Sequence, residues 1–234
     1  MKNIALAALS LFALSTSLAT AKDAIFVAPE QTHTFQILSS PPAAESATTK
    51  AELAELHQIE STRTEAEVAK AKFDDDNENI FAFKDVFGDG FTKENLPLTA
   101  ALGDRVKNDE GVNSNLAKTG FHRVRPYNLD KTLHPVCKTK IKDDSYPSGH
   151  TTSGYIFALT LIDLAPEKRD EILARADAYA HNRLVCGVHY SSDLPASRLS
   201  AYTIHAVMAT NPQYQKEVVE ARTELRSKLG LPAN

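Results

Sequence analysis

The chain has 234 residues, a hydrophobic fraction of 42% and a formal net charge of −4 at pH 7. This length suffices for one domain with a substantial hydrophobic core. The weak negative charge gives no overall attraction for nucleic acid or for an anionic membrane surface, so we expect neither a nucleic-acid polymer nor a membrane as a partner. Any binding of anions has to come from a local group of cations.

The first 21 residues have the pattern of a secretory signal peptide. Lys2 precedes an apolar run, Ile4 to Leu18, that is too short to span a bilayer, and Ala19-Thr20-Ala21 has the small-x-small pattern of a cleavage site. We expect residues 1–21 to be removed and the mature protein to be periplasmic. A retained membrane anchor is the alternative.

The rest of the chain predicts an extended N-terminal segment over 22–47, which contains three prolines, and one all-helical domain over 48–234. The first helix begins at a capping box formed by Thr49 and Glu52, runs to about Ala71 and is followed by a polar break. The other predicted elements are a helix over 80–87, one from Thr92 to about Lys107, a long loop over 127–146, an apolar buried helix over 148–164, and helices from Pro166 to Arg183, from Ser191 or Ser192 to about Ala209, and from Asn211 to Gly230.

Lys118, Arg125 and Arg183 are candidate ligands for a phosphate group. Phosphoryl transfer passes through a transition state whose charge is spread over the phosphate oxygens, so catalysis depends on positioning and on nearby positive charge. The two guanidinium groups match the geometry of phosphate oxygens. The alternative for each cation, taken alone, is a solvated surface charge.

The sequence Pro147-Ser148-Gly149-His150 lies at the start of the predicted buried helix. Free backbone N–H groups and the positive end of the helix dipole favour an anion at this position. Gly149 lets the backbone approach a ligand closely, and Ser148 either donates its hydroxyl to the ligand or caps the helix.

His189 and Asp193 are four residues apart, a spacing at which the carboxylate can accept a hydrogen bond from one imidazole nitrogen. The other nitrogen is then free to attack phosphorus. His150 is left as the candidate that protonates the departing oxygen. The alternative for His189 and Asp193 is a structural hydrogen-bonded pair.

Taken together, these residues resemble a known signature. Their pattern is similar to that of the type 2 phosphatidic acid phosphatase superfamily, which includes vanadium haloperoxidases. The pattern consists of Lys, six residues and Arg-Pro, then Pro-Ser-Gly-His, and then Arg, five residues, His, three residues and Asp. Within the superfamily, the class A bacterial nonspecific acid phosphatases are the group that the chain resembles. The resemblance implies an all-α fold, a phosphohistidine on His189, Asp193 as its orienting partner, His150 as general acid, and no metal or other cofactor. It also implies phosphate binding by Lys118, Arg125, Ser148, Gly149 and Arg183.

Two further features bear on this site. Asn182 departs from the family pattern, which usually has serine before the second arginine, and it is either a ligand contact or part of the scaffold. Cys137 and Cys186 are the only cysteines, and in an exported chain a disulfide between them is the default expectation. A free buried Cys186 is the alternative.

Two other patterns do not predict a metal site. Asp74, Asp76 and Glu78 resemble the start of a calcium-binding loop, but its sixth position is Asn79 rather than glycine and its twelfth is Asp85 rather than glutamate. An acidic solvated turn is the simpler interpretation. The remaining histidines fit no metal-binding spacing and are not expected to take part in the chemistry: His33, His57, His122, His134, His181 and His205.

The sequence therefore predicts a secreted, metal-independent acid phosphatase with broad specificity for small phosphomonoesters, inorganic phosphate as product and vanadate as inhibitor. Three alternatives stay open. They are a phosphotransferase in which an alcohol intercepts the same intermediate, a vanadate-dependent haloperoxidase, and an exported phosphate-binding protein without turnover. The sequence also leaves open which ester is preferred and whether the protein is a homo-oligomer.

Overall fold

The computed structural model describes residues 23–232, so the predicted signal peptide lies outside the described residues. Within this range every regular element is a helix, which confirms the all-α prediction. The long helices are α1 (Ala47–Thr62), α2 (Glu65–Asp76), α3 (Pro97–Phe121), α4 (Gly149–Leu164), α5 (Arg169–Val185), α6 (Asp193–Met208) and α7 (Pro212–Leu229). Among the described residues, none of the helices has both the length and the hydropathy that a membrane span requires.

Helix α4 is at the centre of the fold. It contacts α3, α5, α6 and α7, and apolar side chains from these helices form the main hydrophobic core. Ile156, Phe157 and Leu161 of α4 have no exposed surface, as the sequence predicts for this helix. Burying one side chain of this size stabilises the fold by about 1.5–3 kcal/mol. The core therefore fixes α4 firmly, and with it the residues at its N-terminal end.

The segment before α1 is attached to α3 through buried polar groups. The carboxylate of Asp109 accepts hydrogen bonds from the backbone N–H groups of Ile25, Phe26 and Val27, at distances between 2.6 and 2.9 Å. Asn113, one turn further along α3, donates to the carbonyl oxygen of Val27 at 2.9 Å. The ring of Phe26 enters the main core. Both polar and apolar contacts thus hold this segment against the helical bundle.

The first predicted helix is in fact two helices. Ser46 caps α1, because its side chain accepts a hydrogen bond from the Thr49 N–H at 3.1 Å, so the predicted cap at Thr49 is wrong. The chain leaves the helix at Arg63, and Thr64 and Glu67 form the capping box of α2. The Thr-x-x-Glu spacing was the sequence signal for this break.

Helix α3 starts later and runs further than predicted. It begins at Pro97 rather than after Thr92, and it ends at Phe121 rather than near Lys107. Polar residues on its inner face interrupt the apolar period on which the prediction rested. These residues are buried and hydrogen-bonded: Asp109, Glu110, Asn113 and Ser114. As a result, Lys118 belongs to the last turn of a long, well-packed helix rather than to a loop.

The other long helices start and end close to their predicted positions, whereas short helical turns lie within the segment predicted as extended and at the start of the predicted loop: Pro29–Thr32, Thr34–Ile37 and Pro126–Leu129. The stretch 80–87 is a 3₁₀ turn followed by one α-helical turn. Ser148 caps α4, Asn211 caps α7, and Gly230 ends α7 in the left-handed conformation with φ of 66°. Ser192 precedes α6, but its side chain makes no capping hydrogen bond.

Candidate active site

Several helix ends and the 127–146 loop meet at one cleft with a volume of about 450 Å³. Asp193 and Ser148 lie behind its wall and have no exposed surface. The three blocks of the sequence pattern, 118–126, 147–150 and 183–193, are therefore brought together in one place. Six of the predicted site residues line the cleft: Lys118, Arg125, Gly149, His150, Arg183 and His189.

His189 is oriented by Asp193, the first residue of α6. Oδ2 of Asp193 lies 3.0 Å from Nδ1 of His189. The same oxygen accepts hydrogen bonds from the Ser145 hydroxyl at 2.7 Å and from the Tyr190 backbone N–H at 3.1 Å. Because an acceptor faces Nδ1, the tautomer with its proton on Nδ1 is favoured. Nε2 then carries the lone pair.

The other nitrogen of His189 faces a cation. Nη1 of Arg125 lies 3.2 Å from Nε2, so the guanidinium can donate to the lone pair. Burial lowers the pKa of His189 well below its ordinary value, and Arg125, Arg183 and Lys118 add to the shift. The ring is therefore neutral, which is the state in which an imidazole can act as a nucleophile.

A second arginine, Arg123, holds Asp193 from behind. Its Nη1 donates to Oδ1 of Asp193 at 2.6 Å and its Nη2 donates to Glu52 of α1 at 2.8 Å. Its guanidinium also stacks on the Tyr190 ring, 3.9 Å from the ring centroid. Burial raises the pKa of Asp193, and Arg123 opposes that shift. No sequence motif predicts a functional role for Arg123. Its position two residues before Arg125 is the only local signal for such a role.

Lys118 and Arg125 both reach the loop that precedes α4. Nζ of Lys118 donates to the carbonyl oxygens of Asp144 at 2.8 Å and Pro147 at 2.6 Å. Burial and the nearby Arg125 lower the pKa of Lys118 to about 8, so the ammonium group keeps its charge in neutral and acidic solution. Nε of Arg125 donates to Oδ1 of Asp144 at 2.7 Å. The two cations are thus fixed side by side.

Arg183, near the end of α5, has one paired and one unpaired donor. Its Nη1 donates to Oδ1 of Asp75 at 2.9 Å. Its Nε is buried and has no hydrogen-bond partner among the residues that the structure describes. Buried donors in proteins are nearly always paired, and an unpaired one costs about 1–3 kcal/mol. Arg183 also lines the cleft, so its guanidinium group is a candidate donor to an anion there.

The start of α4 combines a cap with open space. Oγ of Ser148 accepts a hydrogen bond from the Thr151 N–H at 3.3 Å, so of its two predicted roles the structure contains the capping role. The Ser148 N–H donates to the Ser197 hydroxyl at 2.7 Å. A Cβ atom at Gly149 would lie 3.7 Å from the side chain of Lys118. The missing side chain therefore leaves the space beside this ammonium group open to a ligand.

His150, the second residue of α4, has acceptors beside both ring nitrogens. Nε2 lies 3.2 Å from the backbone carbonyl oxygen of Asp75 and 3.8 Å from its carboxylate. Nδ1 lies 3.7 Å from the carboxylate of Glu78. Burial and Arg183 lower the pKa of His150 to about 4, although Glu78 and Asp75 act in the opposite direction. In the free protein the ring is therefore mainly neutral above about pH 4.

The acidic segment at the end of α2 is not the solvated turn that the sequence predicted. Asp74 has no exposed surface and accepts hydrogen bonds from Arg175 at 3.1 Å and from Asn182 at 2.7 Å. Of the two predicted roles of Asn182, the structure contains the scaffold role. Asp75 and Glu78 from the same segment line the cleft beside His150. The partners of these carboxylates lie far away in the sequence, so no local pattern predicted that the carboxylates are paired.

Cys137 and Cys186 form the predicted disulfide. It joins the 127–146 loop to the residue that follows α5. The same loop carries Asp144 and Ser145, which bind Arg125 and the carboxylate behind His189. The disulfide therefore restrains the loop that positions Arg125 and Asp193.

Four of the other histidines are bound to carboxylates outside the cleft. In each pair a ring nitrogen lies between 2.7 and 2.9 Å from a carboxylate oxygen. This arrangement accounts for them without a role in the cleft. The pairs are His57 with Asp130, His122 with Asp143, His134 with Glu60, and His205 with Asp163.

The sequence blocks that build this cleft lie within a match to a known family. The family model of the PAP2 superfamily matches residues 101–217, half of the chain. The chain belongs to the PAP2 superfamily. The matched range of this PAP2 protein begins in α3 and ends in α7, so it includes every predicted site residue from Lys118 to Asp193.

Curated relatives of this PAP2 protein are named acid phosphatases. It is 34% identical over 149 residues to the non-specific acid phosphatase of Providencia stuartii, an alignment that covers 61% of this chain and 59% of the relative. It is 36% identical over 120 residues to the non-specific acid phosphatase of Salmonella typhimurium, covering 49% and 47%. It is 36% identical over 135 residues to the acid phosphatase of Zymomonas mobilis, covering 56% and 50%. The chain thus spans about half to three fifths of the length of these relatives.

Proposed function

We propose that this PAP2 protein hydrolyses small phosphomonoesters through a phosphohistidine on His189. The observation that carries the proposal is the orientation of this ring, with Nδ1 3.0 Å from Asp193 and Nε2 3.2 Å from Arg125 in the cationic cleft. A neutral imidazole held in this way presents its lone pair where the cations bind a phosphate group. The names of the relatives, acid phosphatase and non-specific acid phosphatase, support the same reaction.

In the first step, Nε2 of His189 attacks phosphorus, and a P–N bond forms as the bond to the ester oxygen breaks. Asp193 accepts the hydrogen bond from Nδ1 and stabilises the positive ring that results. His150 gives its proton to the ester oxygen, which leaves as an alcohol. Three cations stabilise the charge on the non-bridging oxygens: Lys118, Arg125 and Arg183.

In the second step, a water molecule attacks phosphorus and the P–N bond breaks. His150, now neutral, takes a proton from this water, and His189 leaves as a neutral imidazole. Inorganic phosphate is released. Neither step needs a metal ion, because the side-chain cations supply the positive charge. An alcohol in place of water would give the phosphotransferase reaction, and glycerol added in excess would then yield a new ester.

An acidic pH optimum follows from the role of His150. The pKa of its ring is about 4 in the free protein, because of burial and Arg183. A bound phosphate group offsets the charge of Arg183 and so raises the pKa of His150 in the complex. The rate should fall as the pH rises through that higher value, because the ring then lacks the proton that the ester oxygen needs. A rate that increases steadily above neutral pH would contradict this role.

Export to the periplasm is part of the same proposal. The signal-peptide pattern of residues 1–21 supports it, and so does the disulfide, because disulfides persist in oxidising compartments. After expression in a bacterial host, N-terminal sequencing of the mature protein should find Lys22 as the first residue. A chain that keeps residues 1–21 would contradict export by this route.

The test of the reaction is the release of inorganic phosphate from a chromogenic aryl phosphate in mildly acidic buffer, with and without a metal chelator. We expect release that resists the chelator in the wild-type protein and loss of release in His189→Ala, with an unchanged circular dichroism spectrum. His205→Ala is the matched control, because it removes a histidine bound to Asp163 outside the cleft. Chelator-sensitive release would indicate a metal-dependent phosphatase, and no release by the wild-type protein would indicate a phosphate-binding protein. Either result overturns the proposal.

A further inference from the structure

A charged cluster beside His150 is not used by the reaction proposed above. The carboxylate of Glu78 lies 2.8 Å from Nζ of Lys107 and accepts a hydrogen bond from Ser153 at 2.8 Å. Lys107 also binds Glu110 of α3 at 2.6 Å. Burial alone would raise the pKa of Glu78, but Lys107 and His150 outweigh it and bring the pKa to about 2. Glu78 is therefore an anion at every pH at which the protein is expected to work.

The surroundings of the His150 ring are mixed in charge. Burial and Arg183 oppose a proton on the ring, whereas Asp75 and Glu78 favour one. Asp75 is already bound to Arg183 at 2.9 Å, so much of its charge is offset. The charged and titratable groups around the ring come from five parts of the fold: Asp75 at the end of α2, Glu78 after it, Lys107 on α3, Arg183 on α5 and His189 before α6.

The two nitrogens of the ring face different partners. A carbonyl oxygen accepts hydrogen bonds but cannot donate one, so the Asp75 carbonyl at 3.2 Å favours a proton on Nε2. A second proton, on Nδ1, makes the ring cationic and faces Glu78 at 3.7 Å. That distance suits an ion pair but is too long for a hydrogen bond. The Nδ1 proton is therefore stabilised by the carboxylate without being held by it.

We propose that Glu78 is a positioning residue for the leaving-group acid, whose carboxylate stabilises the protonated His150 ring while Nδ1–H stays free to protonate the ester oxygen. The inference rests on the proposed function. When a phosphate group occupies the cleft and offsets Arg183, Glu78 is the carboxylate that faces Nδ1 of the ring, and its cationic partner Lys107 is shared with Glu110. As the P–O bond breaks, the proton moves from Nδ1 to the ester oxygen, and Glu78 itself neither gains nor loses a proton.

A purely structural role for Glu78 makes a different prediction. In that case Glu78 would serve only to anchor Lys107 and Ser153. Glu78→Gln keeps an oxygen acceptor for both groups and removes only the charge. Glu110→Gln is the control, because Glu110 also binds Lys107 and Ser153 but donates no charge directly to His150, its third hydrogen-bond partner being Ser114.

The experiment compares kcat/KM for an aryl phosphate, which has a good leaving group, with that for an alkyl phosphate, which has a poor one. Protonation of the leaving oxygen matters most for the poor leaving group. For Glu78→Gln we expect a loss of about tenfold with the alkyl ester, the effect of roughly one pKa unit at His150, and less than about threefold with the aryl ester. Glu110→Gln should alter the ratio between the two esters much less, because its carboxylate acts on the ring only through the shared Lys107. Equal losses in Glu78→Gln, or the same imbalance in Glu110→Gln, would overturn the inference.

A second measurement does not depend on turnover. The titration of His150 is followed by NMR in the protein saturated with inorganic phosphate. We expect a lower pKa of His150 in Glu78→Gln than in the wild-type protein and a smaller decrease in Glu110→Gln. An unchanged pKa in Glu78→Gln overturns the inference, even if the esters are hydrolysed. If the wild-type protein hydrolyses neither ester, the proposed function fails, and this titration still decides whether Glu78 stabilises the protonated ring.

Discussion

The two histidines of the cleft are held in opposite ways. The side chain of His189 is 2% exposed, and a fully buried carboxylate lies within hydrogen-bond distance of its Nδ1. Arg123 and Ser145 fix that carboxylate in turn. The side chain of His150 is 23% exposed, and its nearest carboxylate oxygens lie 3.7 and 3.8 Å away.

This difference matches the two tasks that we propose. A nucleophile needs one tautomer and one orientation throughout the reaction, and a rigid hydrogen-bonded chain provides both. A general acid has to change its charge in each half of the reaction, so its surroundings have to keep both charge states accessible. Charges at ion-pair distance shift its pKa without locking the proton in place.

The strongest test of the rigid hydrogen bonding around His189 is Asp193→Asn. An amide at this position is uncharged, and its NH₂ group cannot accept the hydrogen bonds that Nδ1–H of His189 and the Ser145 hydroxyl donate to the carboxylate. An NH₂ group facing Nδ1 favours the tautomer of His189 with its proton on Nε2. We expect kcat to fall about 10³- to 10⁴-fold, as for other buried carboxylates that orient a catalytic histidine. Steady-state kinetics and the circular dichroism spectrum check this. A loss below tenfold in a folded variant would show that Asp193 does not set the tautomer.

The importance of the buried ion pairs that hold Asp193 is tested by Arg123→Met. The substitution leaves two buried carboxylates, Asp193 and Glu52, without their cation, which should lower the free energy of unfolding by about 3–5 kcal/mol. Urea denaturation measures the change. Arg105→Met is the control, because Arg105 forms a half-exposed ion pair with Glu217 and should cost no more than about 1 kcal/mol. Equal shifts in the two variants would contradict the importance of the buried ion pairs.

The role of His150 as the general acid is tested by His150→Gln. We expect the rate for an alkyl phosphate to fall about 10²- to 10³-fold, because no acid remains for the poor leaving group, and the rate of the first step for an aryl phosphate to fall much less. Product burst measurements separate the first step from the second. An equal loss with both esters in the first step would remove His150 as the leaving-group acid.

The smallest expected effect is on phosphate binding. Because the pKa of His150 is about 4 in the free protein and higher in the complex, the complex holds more protons between these two values, and affinity should rise as the pH falls through that window. Calorimetry in two buffers with different ionisation enthalpies measures the proton uptake. We expect less uptake in His150→Gln, which also corrects for the titration of phosphate itself. The same uptake in both proteins would show that the anion does not raise the pKa of His150.

The sequence predicted the parts of the molecule in which the signal is local. The apolar run of α4, the cap at Ser148 and the four-residue spacing of His189 and Asp193 are each visible within one turn or one helix. The pairing of Cys137 with Cys186 followed from there being only two cysteines. In these places the residues that decide the structure are neighbours in the chain.

The sequence failed where buried charges depend on distant partners. Asp74 is bound by Arg175, 101 positions later, and Arg123 is bound by Glu52, 71 positions earlier. Alone, each of these residues looks like a solvated charge, because the cost of burying it is offset only in the folded protein. The same reason explains the length of α3, where buried polar residues such as Asp109 replaced the apolar side chains on which the period depends.

The measurement that tests the central claim most directly is the capture of the phosphorylated protein. His150→Gln is mixed with an aryl phosphate, because this variant keeps the nucleophile but lacks the base for the second step, and the reaction is quenched in alkali, in which phosphohistidine is stable. Peptide mass spectrometry then locates the phosphoryl group. We expect it on His189. A phosphoryl group on another residue, or its absence from a protein that still releases the phenol, would contradict the mechanism.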